Sequence, residues 1–145
     1  MSILEEHESS PGLLLALLGY DAMRRLRAAH DAHGLKPRQF QILGLLEHGG
    51  LSQRELNDRM GLDPSLVVAL LNPLEADGFV SRERDPADRR RHTVSLTPAG
   101  ATLLVAAGEA QRAVEDDLFA ALDTQQREQL RALLLALNQP ASDCA

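Results

Sequence analysis

Apolar residues recur along this chain in two rhythms, one helical and one alternating. Ser10 and Pro11 supply a cap and a first-turn proline, and Leu14, Leu17, Leu18, Met23 and Leu26 follow at helical spacing until Gly34. That pattern predicts a first helix over roughly 11–32. Pro37 opens a second helix, in which Phe40, Ile42, Leu43, Leu45 and Leu46 are too apolar for one exposed stripe. It is therefore expected to be mostly buried and to end at Gly49-Gly50. Ser52 and Glu55 have the spacing of a capping box for a short third helix with Leu56 and Met60 inward, closed by Gly61. Asp63-Pro64 repeats the cap-plus-proline signal, and a fourth helix carries Val67, Leu70, Leu71 and Leu74 to Gly78. Between Val80 and Leu96 the rhythm becomes alternating, which predicts two short strands joined by a basic loop. Thr97-Pro98 then caps a long fifth helix reaching roughly Leu122, and Asp123 with Gln126 caps a sixth. Residues 1–9 are polar and uncapped and are expected to form a loose arm.

The predicted fold is mainly α with a small β wing: a winged helix-turn-helix joined to a helical dimerisation region. Two helices linked by Gly61-Leu62-Asp63 give the helix-turn-helix, whose second helix enters a DNA major groove in proteins of this layout. Residues 10–36 form the first part of the dimerisation region, 37–97 the DNA-binding lobe and 98–138 the long helices that complete the dimerisation region. Residues 1–9 and 139–145 are expected to be flexible ends. The stripe of Leu130, Leu133, Leu134 and Leu137 is more than a lone helical hairpin hides, so it packs either on the first helix or on another subunit.

Composition adds constraints to this picture. Of 145 residues, 44% are hydrophobic and 25% charged, while aromatics make up 3% and Trp is absent, so the core must be built from Leu, Ala and Val. The net charge of −6 argues against nucleic acid only if it is spread evenly. It is not: five arginines lie between Arg82 and His92, and the excess acid sits at Glu5, Glu6, Glu8, Glu109, Glu115, Asp116, Asp117 and Asp123. A basic loop thus stands on an acidic body. The N-terminus lacks a basic n-region and no apolar run has membrane-spanning length, so a cytoplasmic protein without a membrane partner is expected. No glycine-rich phosphate loop, nucleophile elbow or spaced carboxylate pair suggests an enzyme.

The run from Leu74-Glu75 through Gly78-Phe79-Val80, Arg82, Asp85-Pro86, Asp88-Arg89-Arg90 and Leu96-Thr97-Pro98-Ala99-Gly100 resembles the MarR family of winged-helix transcriptional regulators. The order of elements follows that family over nearly the whole chain. The resemblance implies a homodimer built from the first, fifth and sixth helices, which binds a near-palindromic operator in double-stranded DNA and is released from it by a small organic effector. On the wing, Arg90 is assigned to the minor groove, braced by Asp88, with Arg89 and Arg91 nearer the phosphates. The recognition helix departs from the family, placing Ser65, Leu66, Val68 and Ala69 where relatives commonly carry threonine, serine or arginine. Direct readout is then expected to be thin, resting on Ser65 and on apolar contact with thymine methyl groups. Pro73 predicts a bend near Ala69–Pro73, with Asn72 before it.

Phosphate anchors are expected at helix starts, from Arg38 and Gln39 and from Ser52, Gln53 and Arg54, while Arg82 and Arg84 either meet phosphate or pair with Glu83 and Asp85. Candidates for an effector site between the dimerisation helices and the DNA-binding lobe are Tyr20, Arg24, His30 and Phe40. No cofactor and no metal are expected. His30 and His33 have chelating spacing around Asp31, but they stand at a helix end without a second ligand pair, and His48 lies elsewhere. Cys144, the single cysteine, has no basic neighbour to activate it. The rival reading is a winged helix used for protein interaction without direct DNA binding.

Overall fold

Caps decide where most of the helices begin. The computed structural model describes residues 3–138, in the order α1 (Ile3–Glu8), α2 (Pro11–Asp31), α3 (Pro37–Leu45), β1 (Leu51–Ser52), α4 (Gln53–Met60), α5 (Pro64–Ala76), β2 (Val80–Arg84), β3 (His92–Leu96), α6 (Pro98–Leu118) and α7 (Thr124–Leu137). Side-chain oxygens of Ser10, Ser52, Thr97 and Asp123 accept from the backbone N–H three residues on, at 3.3, 3.1, 3.0 and 2.8 Å. Each satisfies a donor that the helix leaves free. Glu55 and Gln126 return the bond to the cap backbone, completing both expected capping boxes.

Within the arm expected over residues 1–9, Ile3–Glu8 instead form the helix α1. Glu5 and Glu6 lie in its first turn and His7 in its last, the charge order that suits a helix dipole, and the Ser9 hydroxyl closes it on the Glu5 carbonyl at 2.9 Å. The tail expected at 139–145, with Cys144, lies outside the described residues. Pro73 does not interrupt α5, which remains one helix to Ala76. Beside the turn where proline withholds its N–H, the Leu70 carbonyl accepts from Gln39 Nε2 at 3.2 Å.

A three-stranded antiparallel sheet in the order β1-β3-β2 forms the wing and its root. The β2–β3 ribbon runs from Val80 opposite Leu96 to Arg84 opposite His92. Strand β1 adds to the two expected strands, and its two residues give no room for an alternating pattern to show. Leu51 pairs with Val94 and Ser52 with Thr93. Gly50 permits the approach, because a β-carbon there would stand 2.7 Å from Ser95 Oγ and 2.9 Å from Thr93 Cγ2.

The core lies in the lobe that carries the wing. Ile42, Leu43 and Leu46 of α3 and the turn after it meet Leu56 and Met60 of α4, Val67, Leu71 and Leu74 of α5, and Val80 and Val94 of the strands. By contrast His30 is the buried residue of α2, and α7 has none. Leu14, Leu15, Leu17, Leu18 and Tyr20 of α2 are exposed, as are Leu133, Leu134, Leu135 and Leu137 of α7. The stripe on α7 is therefore not covered by the first long helix of the same chain.

A tight corner joins the wing to α6. Thr97 donates its backbone N–H to the Phe79 carbonyl at 3.1 Å and its hydroxyl to the Gly78 carbonyl at 2.6 Å. Gly100 then packs so closely that an added β-carbon would collide with the Phe79 carbonyl oxygen and sit 2.8 Å from Leu96 Cδ1. Backbone cannot yield as a flexible side chain can. Gly100→Ala should destabilise the protein by about 1–3 kcal/mol, read as a lower midpoint in urea denaturation; an unchanged midpoint would show that the corner has slack.

Candidate nucleic-acid interface

Two aspartates shape the tip of the wing through its backbone. Asp85 Oδ1 accepts from Ala87 N–H at 2.9 Å and Asp88 Oδ1 from Arg90 N–H at 3.0 Å, each an Asx turn reaching two residues ahead. Backbone bonds from Asp85 N–H to the Arg91 carbonyl and from Arg91 N–H to the Asp88 carbonyl close the loop at 2.9 and 3.0 Å. The expected brace from Asp88 to Arg90 thus exists, but on the peptide N–H rather than the guanidinium. The carboxylate's side-chain partner is Arg91, whose Nε lies 3.9 Å from Asp88 Oδ2. Arg89, Arg90 and Arg91 are all exposed. The tip therefore holds its shape while its cations stay available.

Recognition helix α5 presents an outer face with little charge. Ser65, Leu66 and Ala69 are exposed and Val68 is half-buried, whereas Val67, Leu70, Leu71 and Leu74 turn inward. Arg82 ties this helix to the wing. Its Nη2 donates to Asn72 Oδ1 at 2.6 Å, and its Nε lies 2.7 Å from Glu75 Oε2, an ion pair whose N–H is not aimed at the carboxylate. Arg82 is mostly covered, with 19% of its side chain exposed. Of the two expectations for Arg82, pairing with Glu83 and Asp85 is replaced by pairing with Asn72 and Glu75. The partners on α5 lie ten and seven residues back in sequence, at a separation that no local pattern announces. Arg84 is exposed near the tip.

The anchor candidates divide. Arg38 is exposed, its guanidinium donating to Gln41 Oε1 at 3.1 Å, and Arg54 is exposed at the start of α4. Gln53 is half-buried, and the Ser52 hydroxyl accepts the cap bond from Glu55. Gln39 requires a correction. It is buried, its Oε1 accepting from Lys36 N–H at 2.9 Å and its Nε2 donating to the Leu70 carbonyl, so both ends of the amide are engaged inside the lobe and neither can reach a phosphate.

The effector candidates divide too. His30 and Phe40 stack with ring centroids 4.6 Å apart and 27° between planes. Tyr20 is instead 78% exposed, and Arg24 is exposed and paired with Asp21 at 2.6 Å, so neither joins the buried pair within one chain. A crevice of about 620 Å³ opens nearby, lined by Met23, Arg27, Leu35, Lys36, Arg38 and Leu70 among others and by none of the four candidates. Among the described residues, no group of three or more His, Cys, Asp or Glu is placed to hold a metal ion. No described helix is long and apolar enough to cross a membrane.

Burial holds the His30 imidazole below its ordinary value of 6.5; Gln111 on α6 opposes this by favouring the charged ring, and His33 adds a smaller repulsion. Neither ring nitrogen has a partner in hydrogen-bond geometry. A lowered folded-state value means that the unfolded chain binds the proton more readily. This contribution to stability is complete above pH 6.5 and is lost as pH falls below it. Denaturation midpoints should drop across that window in the native chain and drop less in His30→Asn; equal slopes for the two proteins would remove His30 as the cause.

Comparison with known proteins places these features in a family. A model of the MarR family matches residues 33–91, which includes the helix-turn-helix and the wing tip. A putative transcriptional regulatory protein for the hcr operon of Thauera aromatica is 31% identical over 118 residues, covering 81% of this chain and 71% of that protein. The structure of CouR from Rhodococcus jostii RHA1 bound to p-coumaroyl-CoA is 27% identical, with a TM-score of 0.78 over 92% of this chain and 95% of that one. The transcriptional repressor CouR bound to a 23-mer DNA duplex is 28% identical, with a TM-score of 0.84 over 96% of this chain and 99% of that one. With the helix-turn-helix, the arginine-tipped wing and the flanking long helices all in place, the chain belongs to the MarR family and is a DNA-binding transcriptional regulator.

Proposed function

We propose that this regulator is a cytoplasmic homodimeric repressor that binds a near-palindromic operator and responds to a small organic effector. The observation that carries the DNA-binding part is the wing tip. Exposed guanidinium groups at Arg89, Arg90 and Arg91 project from a backbone already fixed by Asp85 and Asp88. Arg90 takes the minor groove, and Arg89 and Arg91 take the flanking phosphates. Ser65, Leu66, Val68 and Ala69 face the major groove, and Arg38, Ser52, Gln53 and Arg54 anchor the backbone. That DNA is the partner of a close structural relative supports this reading.

Dimerisation falls to residues 10–36 and 98–138, around the lobe at 37–97. Exposed leucines along α2 and α7 support it, since a patch of that extent is costly to leave in water. A second copy would bring two recognition helices and two wings to one duplex, with half-sites centred about 10 base pairs apart. For the effector, the crevice between α2 and α3 combines Arg27, Lys36 and Arg38, three cations against the single carboxylate of Asp31, with Met23, Leu35 and Leu70, a lining suited to an amphipathic anion. It lies where a ligand would bear on both the dimerisation region and the DNA-binding lobe. His30 and Phe40, stacked on each other, and the exposed Tyr20 and Arg24 lie outside its lining.

Replacing Arg89, Arg90 and Arg91 together by alanine should weaken operator binding by about a thousandfold or more. The plot of log affinity against log salt should also flatten by about 0.9 for each phosphate that an arginine no longer neutralises. Retained affinity would favour the protein-interaction reading. For the dimer, Leu17→Glu with Leu18→Glu should convert a two-chain species to a one-chain species in sedimentation, and a native chain that already sediments as a monomer would refute the assembly.

A further inference from the structure

We infer that Asn72 is a base-reading residue of the recognition helix, presenting its amide Nδ2 to acceptor groups in the major groove while Arg82 holds its orientation; this rests on the DNA-binding reading above. The outer face of α5 is short of groups that can do this. Between Pro64 and Ala76, the residues that turn outward are Ser65, Leu66, Ala69, Asn72, Pro73 and Glu75, with Val68 half-covered. Leu66, Val68, Ala69 and Pro73 carry no side-chain hydrogen-bonding atom. Glu75 brings negative charge and is paired with Arg82. Ser65 and Asn72 remain.

Their placement fits a common task. With 3.6 residues per turn, a separation of seven residues returns to within about 20° of the same direction, so Ser65 and Asn72 share one stripe with Ala69 between them. That stripe lies opposite Val67, Leu70, Leu71 and Leu74, which face the core. Along the axis the two polar groups are about 10 Å apart, close to three base-pair steps. Ser65 near the helix start and Asn72 two turns later would therefore address different base pairs of one half-site.

The contact with Arg82 decides what Asn72 can offer. A guanidinium only donates, so the amide oxygen must be the atom 2.6 Å from Arg82 Nη2, and the assignment of oxygen and nitrogen is not free to reverse. Both Nδ2 hydrogens then point elsewhere, without a partner among the described residues. A side chain already held in place gives up less rotational freedom on binding than a loose one. Its Nδ2 suits guanine O6 or N7, adenine N7 or thymine O4, and it conflicts with the N4 amino group of cytosine. Arg82 thereby acts as a positioning residue, joining the wing strand to the reading of bases by the helix.

Asn72→Asp separates this role from simple support of Arg82, because aspartate keeps an acceptor for the guanidinium and loses the donor. Operators are to be selected from randomised duplexes by the full-length native protein, by Asn72→Asp and by Asn72→Ala. The expected result is a change confined to one dyad-related pair of positions: aspartate shifts preference there towards cytosine, and alanine flattens it. Affinity of Asn72→Asp for the native operator falls roughly tenfold or more, with thermal stability kept. If Asn72→Asp folds and selects the native base at every position, the inference is overturned, however much overall affinity changes. Should Asn72→Ala unfold, Asn72→Asp decides alone. A native protein that enriches no sequence would overturn the operator-binding reading and this inference together, an outcome distinct from an unchanged operator.

Discussion

The close approach of Gly100 to the Phe79 carbonyl is the constraint on which the arrangement of the molecule turns. At that corner the polypeptide leaves the wing, and within four residues it must start the long helix α6. Thr97 performs three tasks there: its N–H and hydroxyl bind two carbonyls of the turn between α5 and β2, and its oxygen caps the helix. Because α6 also packs on α2, the direction in which α6 leaves the corner sets where the lobe stands relative to the long helices.

Sign and placement of charge separate the surfaces. A chain with net charge −6 repels a polyanion as a whole, yet the wing concentrates exposed arginines at its tip. Between the two sits a recognition helix whose outward residues are mostly uncharged. The clasp from Arg82 to Glu75 and Asn72 pairs the carboxylate that the helix itself turns outward. Removing a carboxylate's charge from a surface meant for DNA is as much a requirement as supplying a cation.

Much of this is legible in the sequence because it is local. Caps at Ser10, Ser52, Thr97 and Asp123 set helix starts, and the inward residues of α4 and α5 follow from helical spacing. The departures share a physical origin in contacts between residues distant along the chain. Strand β1 exists because Gly50 lets two residues reach β3 more than forty positions later. Gln39 has the sequence position of a surface residue at a helix start, but α5 supplies the carbonyl that draws it inside. The partners of Arg82 follow from how the ribbon folds back on α5. At the wing the residue types point correctly to an Asp–Arg relationship, but a choice between peptide N–H and guanidinium needs coordinates.

The two Asx turns of the wing have a consequence for how its shape and its chemistry can vary. Since Asp85 and Asp88 act on the backbone, the loop's fold does not depend on which side chains occupy positions 89 and 90. Those side chains keep their rotamers, a reserve of roughly 1.5–2 kcal/mol each that is surrendered only on docking. On the DNA-binding reading proposed above, an encounter with a wrong surface would engage them weakly and let them go, while a groove of the right width would hold them long enough to order them. Discrimination of this kind is exercised in residence time rather than in collision frequency.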